Sequence, residues 1–307
     1  MRALRFSRYG PPSVLEVAEV PEPHAGPGQI RVAVRASGVT PADGYFRSGR
    51  FKDWIPLPLP HVPGVDAAGV VDEVGDGVTT AEVGDEVFGT VDYARTGGAN
   101  AEHAVLTVWA PKPAALSWEQ AGGAAGNIET ATRVLDRLGV ADGTTLLIEG
   151  AAGGVGTVAI QLAVARGATV IGTASARNHP FLASLGARPT TYGPGLAERV
   201  APEGVDVVLD CAGSGSLPDL VGLVAGPDRV VTIADIDAAG YGVHLSRGSG
   251  PGADAPSVGG LATASALAGQ GRFTVPVAAV FPFAEAAAAH ELSESRHARG
   301  KIVLTPW

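Results

Sequence analysis

A chain of 307 residues with 46% hydrophobic content is long enough for two domains, and 31 carboxylates against 22 cations give it a net charge of −9. Its cations are scattered, its first eight residues lack the apolar core of a signal peptide, and no run suits a bilayer span, so nucleic-acid and membrane partners are excluded and a cytoplasmic protein is expected. A single cysteine, Cys211, forbids an internal disulfide and every Cys-based zinc arrangement, while the absence of H-E-x-x-H and G-K-[ST] removes two further chemistries.

In chain order, the first hundred or so residues read as short β-runs, among them Gln29 to Arg35 and Ala68 to Val74, punctuated by Gly and Pro as in a barrel-like domain. From Trp118 helical periods take over, at Glu119 to Ala125 and at Ile128 to Leu138, which Gly139 ends. A strand at Leu146 to Ile148 then runs into a glycine turn, Gly150 to Gly156, a helix from Thr157 to Arg166 and a second strand, Val170 to Thr173. Strands recur at Val205 to Asp210, followed by Cys211 as a small buried hydrophobe, and at Val230 to Ala234. That alternation implies an α/β chain with a parallel, doubly wound sheet. Tyr241 to Leu245 is a candidate open sheet edge, and residues 246–260 read as a mobile loop rather than a linker. From Phe273 the pattern is strand, alanine-rich helix and a last strand, Ile302 to Leu304, which needs a sheet to join.

The glycine turn is the most informative stretch. It matches the dinucleotide fingerprint G-x-G-x-x-G with Ala151 in the first place, then Gly153 and Gly156, between a strand and a helix as the fingerprint requires. Such a turn aims backbone N–H groups and the positive end of a helix dipole at a pyrophosphate. At the end of the second strand, where a carboxylate would accept from the free ribose hydroxyl of NAD, the chain reads Ala174-Ser175-Ala176-Arg177-Asn178. A hydroxyl and a guanidinium there favour a 2′-phosphate, hence NADPH. Alternatively, Arg177 is a solvated residue ahead of a helix that Asn178 caps and Pro180 begins.

These residues and others in the same order resemble the zinc-independent quinone oxidoreductases of the medium-chain dehydrogenase/reductase superfamily, end to end. The matching pieces are Pro21-x-Pro23, Gly26-Pro27-Gly28, Ser37 to Asp43, Pro63 to Val71, Gly84 to Gly89, the glycine turn, and His297 to Leu304. The resemblance implies a GroES-like β-barrel domain built from 1–118 and 272–307. It also implies a Rossmann NADPH-binding domain, 119–271, with substrate in the cleft between them and a homodimer formed through the Rossmann edge. Zinc-using relatives have a cysteine near Thr40 and a His-Glu pair after the glycine matching Gly64. Here Thr40, Val65 and Asp66 stand there, so no metal site is expected.

Carried over by position, Ala152, Gly153, Gly154, Val155 and Gly156 would cradle the pyrophosphate. Ser175, Arg177 and Tyr192 would surround the 2′-phosphate, and Gly213 would form a cofactor-contacting turn. Thr130 matches a threonine facing the nicotinamide, and Thr40 stands where asparagine is common. Phe51 replaces a tyrosine often placed at the substrate, and Ile128-Glu129 replaces Gly-Leu. Tyr45 and Thr130 are the candidate catalytic donors, and Glu129 is a carboxylate to inspect. Asp43 and Asp66 read equally as structural carboxylates, His61 and His103 as neutral satisfied side chains, and Tyr192 as a packing residue. The expected activity is hydride transfer from NADPH to a quinone or an α,β-unsaturated carbonyl compound. The rivals are an enoyl reductase of a biosynthetic pathway, with carrier-bound substrates, and a non-catalytic NADPH-binding sensor.

Overall fold

In a computed structural model that describes residues 1–306, β1 (Arg2–Phe6) and β2 (Leu15–Glu19) form an antiparallel ladder, and β3 (Ile30–Val39) is the longest strand. β3 alternates buried and exposed residues as far as Arg35, so one face meets the core, and is buried from Ala36 to Val39 where both faces are covered. α1 (Pro41–Ser48) follows, opened by Thr40 and Asp43 as a capping box with Pro41 at its first position. Then come β4 (Asp66–Val74), β5 (Glu86–Thr90), β6 (His103–Leu106) and β7 (Val108–Pro111), followed by α2 (Trp118–Gly122) and α3 (Ala125–Arg137).

The second half begins with β8 (Thr145–Glu149), α4 (Gly154–Ala165) and β9 (Thr169–Thr173). It continues with α5 (His179–Ser184), β10 (Arg188–Thr190), α6 (Leu196–Val200), β11 (Val207–Asp210), α7 (Leu217–Val221), β12 (Val230–Thr232) and β13 (His244–Leu245). The chain closes with α8 (Gly259–Gly269), β14 (Val277–Pro282), α9 (Ala286–Glu294) and β15 (Lys301–Thr305).

Two compact units result: Met1–Asn127 together with the chain from Val258 onward, and Ile128–Ser257. In the first, the strand order is β14-β15-β3-β4-β5-β7, with β6 also on β3. β15 finds its sheet here, antiparallel to β3 through Ile302↔Val39 and Leu304↔Ser37 and parallel to β14. Ile302 and Leu304 pack with Leu4, Val39 and Phe283, and burying each such side chain contributes about 1.5–3 kcal/mol.

In the second unit six parallel strands lie in the order β10-β9-β8-β11-β12-β13. This is the expected doubly wound arrangement, and the order reverses between β8 and β11, where strand ends leave a crevice. α4 is buried from Gly156 through Ala163, as befits a helix apolar on almost every side. Among the described residues no helix is long and apolar enough to cross a membrane.

Three boundaries differ from the sequence reading. The units divide at 127/128 and 257/258 rather than at 118/119 and 271/272. α2 lies against β3, with a Cβ on Gly122 falling 2.6 Å from Ala36, and Ser265 on α8 donates to the Pro111 carbonyl. α4 starts at Gly154, not Thr157, because glycines tolerate a helix's first turn when tertiary contacts hold it. Tyr241 lies in a short 3₁₀ turn, so the edge strand is only His244–Leu245.

Candidate functional site

The cradle is built by the turn after β8. Gly150 has φ 74°, which favours glycine, and packs its backbone against Cys211 and Ala212 in the loop after β11. A Cβ on Gly156 would fall 2.7 Å from both Ala151 Cα and Gly150 O, so the helix can sit this close to the turn only without a side chain there. α4 is capped by Gly153, which offers no side-chain oxygen. The first-turn amides of Gly154, Val155 and Gly156 therefore have neither an intrahelical acceptor nor a side-chain cap, and Ala152 to Val155 are partly open to solvent. A diphosphate fits this donor set: an anion at the N-terminus of a twelve-residue helix.

Two further segments end on the same edge of the sheet. Ser175 and Arg177 follow β9, and Tyr192 follows β10, whose register Thr190↔Thr173 brings both strand ends level. Arg177 and Tyr192 are exposed, and Ser175 is partly buried, its hydroxyl accepting from Asn178 Nδ2 at 3.3 Å. Asn178 holds the position ahead of α5, with Pro180 in the first turn, yet its side chain caps nothing.

Opposite the cradle, Asp210 at the end of β11 shapes the Gly213 turn. Its Oδ1 accepts from Ala212 N at 2.8 Å and from Gly213 N at 3.1 Å, and its Oδ2 from Thr232 Oγ1 at 2.7 Å. Gly213 has φ 57° and lies so near Ala234 that a Cβ would clash. Cys211 is half-buried rather than fully buried, and desolvation, followed by the Asp210 charge, pushes its thiol well up, so it is not a reactive thiolate. Glu149, the last residue of β8, is 4% exposed; its Oε1 accepts from Ser214 Oγ at 3.0 Å and its Oε2 has no partner. Burial raises its pKa, with the Asp210 and Asp219 carboxylates adding to the rise against the Ser216 and Ser214 hydroxyls.

Thr130, on α3, belongs to a polar network within the second unit. Arg133 donates from Nε to Glu129 Oε1 at 2.8 Å, from Nη2 to Glu129 Oε2 at 3.2 Å and to Thr130 Oγ1 at 3.3 Å, and from Nη1 to Ser246. Ser246 donates to Asp254 at 2.6 Å, and His244 lies 3.0 Å from both oxygens of that carboxylate. Glu129 also accepts from the Ser257 amide, so it is a structural anchor rather than a free acid; it holds part of the stretch 246–260, expected to be a mobile loop, whose end from Gly259 is the start of α8. The Thr130 hydroxyl accepts from Arg133 and itself donates to Glu129 Oε2 at 3.4 Å, so its hydrogen is already engaged within the network.

In the first unit, Thr40 directs both its amide and its hydroxyl to Asp43 Oδ2, at 2.7 and 2.8 Å, while Asp43 Oδ1 accepts from Gly64 N. Asp66 Oδ2 accepts from Gly126 N at 3.0 Å. Burial raises the pKa of both carboxyls, and the buried Lys301 ammonium opposes the rise. These are buried braces at the places where zinc-using relatives were expected to carry ligands. Burial lowers His61 to about 4, so it is neutral, and His103 lies 3.2 Å from Asp72. Among the described residues no three His, Cys, Asp or Glu side chains are grouped to hold a metal ion. Tyr45 accepts from Arg296 Nη2 at 3.3 Å, with Arg50 Cζ 4.8 Å from its ring centre and Phe51 5.0 Å away.

Sequence reasoning missed Glu149, Asp210, Arg133 and Arg296. The spacing of Glu129 and Arg133, four apart on a helix, carried a legible signal, as did a carboxylate closing the strand before a glycine turn; nothing local pointed to Arg296.

Residues 26–134 match the family model for the alcohol dehydrogenase GroES-like domain, and residues 186–304 that for a zinc-binding dehydrogenase. The chain is 32% identical over 335 residues to a quinone oxidoreductase of Sus scrofa, covering 99% of this chain and 97% of that protein. It is also 32% identical to an NADPH-dependent alkenal/one oxidoreductase, chloroplastic, of Arabidopsis thaliana, over 100% of this chain and 80% of the relative. Among solved structures, the quinone oxidoreductase from Coxiella burnetii matches with a TM-score of 0.82 at 29% identity over 99% of both chains. A mycobacterial protein complexed with NADPH matches with a TM-score of 0.80 at 28% identity over 100% of both.

Proposed function

This chain belongs to the quinone oxidoreductase family of the medium-chain dehydrogenases/reductases, and we propose that it is a zinc-independent reductase using NADPH to reduce a quinone or an α,β-unsaturated carbonyl compound. The observation that carries this reading is the uncapped N-terminus of α4 at the switch point, its first-turn amides open beside Gly153. The preference for NADPH is supported by Ser175 and Arg177 standing where a ribose-binding carboxylate would select NAD. When bound, the reduced nicotinamide supplies hydride, two electrons with one proton, to an electrophilic carbon of the acceptor.

The protein's own contribution is placement and charge stabilisation. Amides 154–156 hold the diphosphate, the Asp210-braced turn at Gly213 fixes the second side of the crevice, and the Arg133 network orients Thr130. Negative charge develops on the acceptor's oxygen as hydride arrives, and a donor aimed there lowers the barrier. Tyr45 is the candidate, since Arg296 occupies its oxygen as donor and leaves the phenolic hydrogen free. The reading extends to a homodimer joined at the β13 edge and to a cytoplasmic location, supported by one unpaired thiol suited to a reducing compartment.

The test is oxidation of NADPH against panels of quinones and enals, with dissociation constants for NADPH and NADH measured alongside. Turnover on either panel, undiminished by a chelator, and NADPH bound about tenfold or more tightly than NADH are expected, since a charge-assisted phosphate contact contributes about 1.5–3 kcal/mol. Tight binding without turnover points to a sensor instead.

A further inference from the structure

Tyr45 is approached by two cations from two different helix ends. Arg50 follows Gly49, the left-handed cap of α1, and sets its guanidinium over the tyrosine ring; Arg296 stands just past the cap of α9 and donates to the hydroxyl. Among the described residues neither meets a carboxylate within 4.0 Å, whereas Arg2, Arg5, Arg31 and Arg47 are each paired. Asp53, three residues beyond Arg50, makes no ion pair with it, and Glu294 is held by Arg47.

Arg296 is the only non-glycine residue at positive φ among those described, at 58°. The position after a helix cap normally goes to glycine because a Cβ is disfavoured there, so a long cation in that place is unexplained by helix termination. Outliers of this kind concentrate at binding sites. Arg47, buried on α1 three residues before Arg50, bonds Glu294 and His290 and thereby fixes α1 against α9, so the two guanidiniums are held in register. Beside them Phe51 stacks on Trp54, ring centres 5.4 Å apart and planes within 15°, giving a flat aromatic wall.

We propose that the acceptor is a flat conjugated compound bearing an anionic group, which Arg50 and Arg296 bind around Tyr45. This rests on the reductase reading and deepens it by naming the substrate class. Carboxylate, sulfonate and phosphate share the required chemistry, each offering oxygens to a guanidinium. The anion sits either on a small acceptor or on the phosphates of an acyl carrier.

The experiment compares kcat/KM for 1,4-naphthoquinone with that for its 2-sulfonate, and for crotonaldehyde with crotonyl-coenzyme A, in wild type, Arg50→Gln, Arg296→Gln and the double variant. The neutral partner of each pair is the internal reference, so any disturbance of Tyr45 cancels in the ratio. The anionic-to-neutral ratio is expected to fall about tenfold or more in the double variant, the scale of one or two charged hydrogen bonds. In wild type the ratio should also fall as ionic strength rises from about 0.02 to about 0.5 M, as screening requires. A change confined to the naphthoquinone pair assigns a small acidic acceptor, and one confined to the crotonyl pair assigns a phosphate-bearing carrier. Should the Arg296 variants not fold, Arg50→Gln and the wild-type salt dependence decide the matter. Ratios unmoved by substitution and by salt overturn the anionic subsite while leaving the reductase reading intact; absence of turnover with all four acceptors overturns both.

Discussion

His290 is 1% exposed, accepts from Arg47 Nε at 3.4 Å through Nδ1 and has no partner for Nε2. Burial, reinforced by the Arg47 charge, lowers its pKa to about 3. The folded state therefore refuses a proton that the unfolded chain binds below about 6.5, so the stability His290 confers is complete above that pH and is lost as pH falls toward 3. Between pH 7 and 5 this amounts to about 2 kcal/mol, and a His290→Asn variant should lack that part of the slope. Urea unfolding of both proteins at the two pH values measures it; parallel slopes refute the assignment. At this scale the sequence was a partial guide. Glu129 and Arg133 could be paired by spacing alone, but Arg296 lies 251 residues from Tyr45 and Ser246 lies 113 from Arg133, distances over which no local pattern speaks.

At the scale of elements, the strand–turn–helix at 145–165 was read nearly as it stands, because glycine positions and apolar runs are fixed by local sterics. What the pattern hid was the helix start, since glycines that usually break helices here form its first turn. Gly156→Ala tests that geometry. The new methyl would meet backbone atoms of Gly150 and Ala151 that cannot rotate away, so α4 must shift from β8 and its amides lose their aim. NADPH affinity should weaken by about tenfold or more, the loss of one or two charged contacts, as read by titration of nicotinamide fluorescence. An unchanged dissociation constant would show that the diphosphate lies elsewhere. β13 was harder to read: two residues, His244 and Leu245, carry too short a period to mark a strand.

For the whole molecule, the doubly wound order and the final strand's need for a sheet were both legible, the first from alternation and the second from an apolar run with no neighbour nearby. The unit boundaries were not, because α2 and α8 join the first unit through contacts rather than composition. The dimer reading makes a prediction here. Ile236 and Tyr241, 41% and 46% exposed close to the β13 edge, should be covered by a second copy, so light scattering is expected to give a dimer and Tyr241→Glu a monomer. A monomeric wild type removes that interface.

The placement of β15 beside β3 has a bearing on how the chain is made. Lys301 reaches Val39 across 262 residues of sequence, and until that strand leaves the ribosome β3 presents a bare edge to every other nascent chain. The nucleotide-binding half, whose strands all lie between Thr145 and Leu245, is fully synthesised earlier. The order of synthesis thus completes every strand of the second unit while the amino-terminal sheet still lacks the strand that pairs with the end of β3.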